Sequence, residues 1–162
     1  MAVEKIFIGI DAGKVCGISV WNKAKKKFLS IESCSFWECI KNLEQSKGFY
    51  IPINDYDLTV VIEDVTQHHP VFFAQATYKN TEGNHENKIR AVCEQAKRVG
   101  TVWDKTELIM EWCVRHEVKL IRRKPTNKSG TKMKADTFRN LTKWQGETNE
   151  HSRDSGILVW GI

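Results

Sequence analysis

The sequence lacks any apolar run long enough to span a membrane. Its longest apolar stretches, IFIGI at residues 6–10 and LTVVI at residues 58–62, fall far short of the roughly 20 residues that a transmembrane helix needs. The start of the chain, MAVEKIFIGI, also lacks the cationic region and the long apolar stretch of a signal peptide. We therefore expect a cytoplasmic protein that has no membrane partner.

Cysteine occurs, but in none of the patterns that hold zinc or build a disulfide framework. Five cysteines, an odd number, include no CxxC pair and no Cys/His spacing of a structural zinc site, so we expect reduced thiols. The chain also contains no internal repeat and no low-complexity segment. With 41% hydrophobic and 28% charged residues, its 162 residues suit one globular domain, and we predict a single domain over residues 1–162.

Positive charge is concentrated in one segment, although the net charge of the chain is only +5. Residues 118–135, VKLIRRKPTNKSGTKMKA, contain no acid and seven cations: Lys119, Arg122, Arg123, Lys124, Lys128, Lys132 and Lys134. Loop-forming residues interrupt this run. The segment is therefore either a solvated surface or a loop that binds a polyanion.

The hydrophobic pattern predicts an α/β fold. Three strands joined by short turns form an antiparallel meander, and FWECIKNLEQSK at residues 36–47 is an amphipathic helix. LTVVIEDV is typical of a central strand, TQHHPVFFAQATYKNTEGN is predicted as a loop, and a helical region containing Gly100 leads to strand VKLIRR and two final helices. A meander of strands 1–3, followed by strands 4 and 5 through helical crossovers, predicts a mixed five-stranded sheet with helices on both faces.

Acidic residues end two of the predicted strands. Asp11 ends the first strand and Glu63 ends the fourth, so both carboxylates emerge at one edge if these strands are neighbours. Two carboxylates placed close together raise a pKa or require a cation, and Mg²⁺ prefers such ligands. Asp11 is alternatively a turn residue. Asp64 is an alternative to Glu63, since alternation lets only one of them face Asp11.

The last helix carries two polar residues on a face that we predict to point inward. His151 and Asp154 are three positions apart and share a face that continues through Ser155 to Leu158. An inward carboxylate is costly unless a cation, a metal or several donors compensate it. His151 alone is more typical of a structural histidine, but one site for Asp11, Glu63, His151 and Asp154 is more economical than four unrelated features.

Five stretches run in order through nearly the whole chain: GIDAGKVCGISV, VVIEDV, AKRVGTVWDKTELIMEWCVRHEVKLI, RRKPTNKSGTKMKADTF and HSRDSGILVW. They resemble the first hairpin, the fourth strand, the helical crossover, the Pro- and Lys-rich segment and the closing helix of the RuvC-like Holliday junction resolvases. These enzymes belong to the RNase H-like superfamily, and the closest likeness is to divergent phage-type members. Two positions depart from the family pattern: Ala12 stands where Pro is common, and Ser155 where Ala is usual.

The resemblance implies an RNase H-like fold and a crossover junction endodeoxyribonuclease, in the cytoplasm of a bacterial host if a phage encodes it. Such an enzyme resolves four-way junctions by paired symmetric nicks through two-metal phosphodiester hydrolysis. Asp11, Glu63 and Asp154 would hold two Mg²⁺ ions, for which Mn²⁺ can substitute. His151 would take a position that is Asp in some members, as a metal ligand or a proton-transfer group. The implied partners are branched DNA and a second copy of the chain, with no nucleotide cofactor.

The resemblance also implies contacts to DNA. The basic segment would track the phosphate backbone without reading sequence through Arg122, Arg123, Lys124, Lys128, Lys132 and Lys134. Phe72 and Phe73 either fill the core beneath their loop or stack on bases of an opened junction.

Other functions are compatible with the same motifs. The chain can be another RNase H-like nuclease that cuts flaps, branched DNA or RNA–DNA hybrids, because fold alone does not choose the substrate. It can also be a catalytically silent DNA-binding module. GIDAGKVCG further resembles the phosphate loop of actin-like kinases and ATPases, but those proteins need a second domain, for which 162 residues leave no room.

Overall fold

The protein is an α/β sandwich, described here from a computed structural model that covers residues 4–48, 56–67, 70–125 and 133–162. Within these ranges a five-stranded sheet is combined with five α-helices and one turn of 3₁₀ helix at Val65–Gln67. The strands are β1 (Glu4–Asp11), β2 (Cys16–Asn22), β3 (Lys27–Cys34), β4 (Tyr56–Glu63) and β5 (Lys119–Arg123). The helices are α1 (Phe36–Gly48), α2 (Pro70–Asn80), α3 (His85–Arg115), α4 (Ala135–Thr142) and α5 (Glu150–Val159).

The sheet is mixed, as the sequence predicted, with the strand order β3-β2-β1-β4-β5. Strands β1, β2 and β3 pair antiparallel, while β4 pairs parallel with β1 and β5 pairs parallel with β4. The order differs from the prediction, which placed strands 4 and 5 after the meander. A parallel neighbour is reached only through a crossover, and the crossover that contains α1 returns the chain to the free side of β1.

Alternation along the central strands separates two hydrophobic cores. Ile8 and Ile10 of β1 face a core that is completed by α1 and α3, with Leu43 and Ile109 among its buried residues. Phe7 of β1 faces the opposite core, which is completed by α4 and α5 with the buried residues Phe138 and Val159. The sheet therefore has helices on both faces. Even-numbered residues of β1 face α1 and α3, and odd-numbered residues face α4 and α5.

The helical region between β4 and β5 decides whether Gly100 breaks a helix, which the sequence left open, and differs from its prediction in one respect. Gly100 does not break the helix, because α3 is continuous over 31 residues. The segment predicted as a loop contains α2, which begins at Pro70; proline suits the first helical position, and α2 packs along α3. No helix in the described ranges is both long enough and apolar enough to cross a membrane.

Candidate active site

The parallel pairing of β1 and β4 places the ends of both strands at the same edge of the sheet. Ile10 pairs with Ile62, so Asp11 and Glu63 each follow one residue later on adjacent strands. Alternate residues of a strand face the same side of the sheet, so Asp11 lies on the side of Phe7 and Glu63 on the side of Val61. Phe7 and Val61 belong to the core beneath α4 and α5. Asp11 and Glu63 therefore emerge on the face that α5 covers.

Asp64 lies on the opposite face and is held inside the fold. Its buried carboxylate accepts hydrogen bonds from Thr66 Oγ1, from Gln67 Nε2 at 2.8 Å and from Arg122 Nε at 2.7 Å. Burial by itself would raise the pKa of Asp64, but these hydrogen bonds and the Arg122 charge outweigh it and hold the pKa below its ordinary value. Of the two adjacent acids, Glu63 is the one that shares the face of Asp11.

Helix α5 sits directly on the sheet because small residues let the two backbones approach. A Cβ added at Gly17 would overlap the carbonyl oxygen of His151, and one added at Gly9 would overlap that of Ser155. Ser19 Oγ donates a hydrogen bond to the same Ser155 carbonyl at 2.8 Å. This close approach positions the first turn of α5 over the end of β1 and the start of β2.

The start of α5 is fixed by a capping box. Asn149 Oδ1 accepts from the backbone N–H of Ser152 at 3.0 Å, and Ser152 Oγ accepts from the N–H of Asn149 at 3.0 Å. Asn149 Oδ1 also accepts from Ser33 Oγ at 2.7 Å, which ties this cap to β3. The buried face of α5 consists of Ser152, Ser155, Gly156 and Val159. His151 and Asp154 lie beside this face and are half-buried.

Asp11 and His151 form the centre of the site. His151 Nδ1 lies 2.9 Å from Asp11 Oδ2, and the Asp11 side chain is only 18% exposed. Burial raises the pKa of Asp11 from its usual 3.8 to about 6; the bond to His151 opposes this rise, whereas the charges of Asp154 and Glu63 add to it. The four predicted site residues thus act on one another electrostatically at one end of the sheet.

The donor chemistry of these residues suits a hard divalent cation. Asp11, Glu63 and Asp154 supply carboxylate oxygens, which Mg²⁺ prefers, and His151 adds an imidazole nitrogen. The negative charge that raises the pKa of Asp11 would be compensated by such a cation. As the side chains lie in the described ranges, however, no three His, Cys, Asp or Glu residues are grouped closely enough to hold a metal ion, so binding would require the carboxylates to draw together.

The predicted DNA-binding cations fall into different environments. Arg122 forms an ion pair with Asp64. Arg123 is exposed at the end of β5, where it pairs in register with Glu63, and the next residue, Lys124, is also exposed. Lys134 is exposed at the start of α4. Lys128 and Lys132 lie outside the described residues. Phe72 and Phe73 lie in α2, and their side chains lie outside the described part of the chain.

Arg153 is a site-neighbouring residue that sequence reasoning missed. Its Nε donates to the Met133 carbonyl at 2.7 Å, and its Nη1 donates to the Thr148 carbonyl at 3.0 Å. These bonds tie the C-terminal end of the basic segment to α5, next to Asp154. The HSRDSG motif contains Arg153, but only the tertiary packing reveals its backbone partners.

Three thiols that the sequence did not group also meet at this end of the sheet. Cys16 and Cys34 are paired in register on β2 and β3, and Cys16 Sγ donates to the Gly13 carbonyl at 3.6 Å. Interaction with the Cys39 thiol of α1 lowers the pKa of both Cys16 and Cys34, despite burial. All three are free thiols.

Comparison of the chain with protein-family models, with curated proteins and with solved structures gives no match. Its function must therefore be inferred from the site itself and from the resemblance of its motifs.

Proposed function

We propose that this chain is a magnesium-dependent, structure-selective DNA endonuclease of RNase H-like fold that resolves four-way junctions. The observation that carries the proposal is the convergence of Asp11, Glu63, His151 and Asp154 at one end and on one face of the sheet. Their order along the chain, from two central strands and the closing helix, matches the motifs that resemble the junction resolvases. The mixed sheet with its opening meander supports the fold assignment.

Asp11, Glu63 and Asp154 would hold two Mg²⁺ ions, which Mn²⁺ can replace, with His151 in the same donor set. When bound, such ions stabilise the charge on the attacking and leaving oxygens of a phosphodiester. Burial raises the pKa of Asp11 to about 6, and a bound cation would favour its ionised form. His151 Nδ1 is occupied by Asp11, so either ligation of a metal or proton exchange with the substrate falls to Nε2, which lies 3.8 Å from Glu150 Oε1.

The cations near the site support binding of a phosphate backbone. Arg123, the last residue of β5, lies beside Glu63, and Lys124 follows it. Arg153 holds the Met133 carbonyl, which places the next residue, Lys134, beside α5. Such contacts position DNA without reading its sequence. Binding should therefore weaken steeply as the salt concentration rises.

We propose a second copy of the chain as the protein partner, bound through the first half of α3. Ile89, Val92, Ala96, Val99 and Trp103 recur at alternating spacings of three and four, the pattern of a helix–helix seam. The buried residues of α3 all lie from Thr106 onward. Ile89 is 44% exposed, whereas Val92, Val99 and Trp103 are half-buried and line a groove with Ala74 of α2, so a second copy would extend this packing. A symmetric pair of such helices would bury this seam and provide two active sites for two incisions.

Cleavage of a substrate panel tests the proposal. With Mg²⁺, the protein should nick a four-way junction symmetrically and largely spare linear duplex; Asp11→Asn and Glu63→Gln should retain binding and lose cleavage. Asp57→Asn is the matched control, because Asp57 pairs with Lys119 at the opposite end of β4 and should leave cleavage intact.

Two other results would overturn the assignment. Equal cutting of flaps, single strands, hybrids and junctions would indicate another nuclease of the superfold. Binding of DNA without cleavage under any divalent cation would indicate a silent DNA-binding module.

A further inference from the structure

Trp37 is an exposed tryptophan at the same end of the sheet as the candidate active site, on α1, which packs against the opposite face of the sheet from α5. Its side chain is 76% exposed, the largest value among the exposed large apolar side chains of the described residues. Large aromatic residues usually bury much of their surface, since the indole ring gains most from leaving water. In the isolated chain, the Trp37 ring stays largely in contact with water.

Strand register fixes where Trp37 lies. Asp11 pairs with Gly17, and the preceding residue, Cys16, pairs with Cys34 at the end of β3. Because neighbouring strands lie about 4.8 Å apart, the end of β3 is roughly 10 Å from Asp11. Trp37 follows Cys34 by three residues, in the first turn of α1.

The position of Trp37 is fixed by its neighbours. Ser35 and Glu38 form a reciprocal cap at the start of α1, in which Ser35 N–H donates to Glu38 Oε2 at 2.8 Å and Glu38 N–H donates to Ser35 Oγ at 3.3 Å. The buried Phe36 ring packs at 69° to the Trp37 ring, with 5.4 Å between centroids. The helix cap and the Phe36 ring therefore hold the exposed indole in place at the start of α1.

The Phe36 support is connected to the turn that follows Asp11. Lys105 Nζ lies 5.7 Å from the centre of the Phe36 ring and donates to the Gly13 carbonyl at 2.8 Å. Lys14 is exposed in the same turn, and Lys41 lies one helical turn after Trp37. Three cations therefore accompany the exposed ring at this end of the sheet.

We infer that Trp37 is a stacking platform for a nucleobase of the DNA substrate, with Lys14, Lys41 and Lys105 attracting the adjacent phosphates. This inference rests on the proposed nuclease function and names the substrate feature that the site selects. A base can stack on Trp37 only where it is released from its own duplex stack. Four-way junctions and single strands offer such bases, whereas linear duplex does not. Trp37 thereby favours branched DNA over duplex.

Equilibrium binding in EDTA separates this role from cleavage. Trp37→Ala should weaken binding to a four-way junction and to a single strand by about 5- to 150-fold, the range for loss of one stacked base, while binding to linear duplex changes by less than about two-fold. Trp37→Phe should retain most of the affinity. The slope of log Kd against log salt should not change, because no phosphate contact is lost.

Trp160→Ala is the matched control, because the same substitution falls on a less exposed tryptophan, 38%, at the far end of α5 from His151. It should bind all three DNAs like the parent chain. The inference is overturned if Trp37→Ala binds junction and single strand normally. It is also overturned if the variant loses all three DNAs equally, or if it changes the sedimentation coefficient, which would assign the ring to a protein contact. Failure of the parent chain to cleave would overturn the nuclease proposal but leave these binding results interpretable.

Discussion

At the scale of single residues, Asp11 connects the fold to the proposed chemistry. Burial, with smaller contributions from the charges of Asp154 and Glu63, outweighs its bond to His151, so the carboxyl group retains a proton to higher pH than in an unfolded chain. A raised carboxyl pKa means that the folded state favours the protonated form. The contribution of Asp11 to stability is therefore greatest below pH 4 and is lost as the pH rises through about 6.

The pH dependence of unfolding tests this assignment. Relative to Asp11→Asn, the parent chain should lose on the order of 2–3 kcal/mol of unfolding free energy between pH 3.5 and pH 7.5, in the absence of divalent cations. Urea titrations of both proteins at the two pH values measure the difference. An increase in the relative stability of the parent chain with pH would contradict the raised pKa.

Arg122 and Arg123 are adjacent cations for which the structure predicts different roles. Arg122→Gln leaves the buried Asp64 carboxylate without its ion pair and should lower the unfolding free energy by about 1–3 kcal/mol. Arg123→Gln should change stability by less than about 0.5 kcal/mol and weaken DNA binding. Denaturation and junction binding of both variants provide the comparison. Weaker DNA binding by Arg122→Gln with unaltered stability would make Arg122 a DNA contact instead.

At the scale of elements, the approach of α5 to the sheet determines whether the site exists. A methyl group at Gly17 cannot be accommodated without moving the backbone of His151, whereas a Cβ at Gly100 in α3 meets no atom within 4 Å. Gly17→Ala should destabilise the fold by about 1–3 kcal/mol and abolish cleavage. Gly100→Ala should stabilise it by up to about 1 kcal/mol.

Thermal unfolding and junction nicking of these two glycine variants test the helix placement. Normal cleavage by Gly17→Ala would show that α5 does not need this close contact.

The same elements explain what the sequence could predict. Continuous apolar runs identify β1 and β4, which are buried on both faces, and helical periodicity identifies α5. Asp11, Glu63 and Asp154 are exceptions to these patterns. Strand neighbours were not predictable, since the pattern within a strand does not report which crossover brings β4 beside β1. The choice between Glu63 and Asp64 likewise required the pairing register and the Arg122 partner.

At the scale of the whole molecule, α3 should bring two copies of the chain together. Ile89→Lys places a charge at the exposed end of its seam and should convert a dimer to a monomer in analytical ultracentrifugation. It should also reduce paired incision of a junction to single nicks. Val114→Lys is the control, because Val114 is 74% exposed near the C-terminal end of the same helix and outside the seam. A monomeric parent chain at micromolar concentration would contradict this interface.

The central claim is that Asp11, Glu63 and Asp154 share divalent cations, with His151 beside them. Anomalous diffraction from crystals soaked in Mn²⁺ tests it most directly, because the signal locates the ion independently of activity. We expect a strong peak between the carboxylates of residues 11, 63 and 154 that disappears in Asp11→Asn and persists in Asp57→Asn. No peak at this position under saturating Mn²⁺ would contradict it.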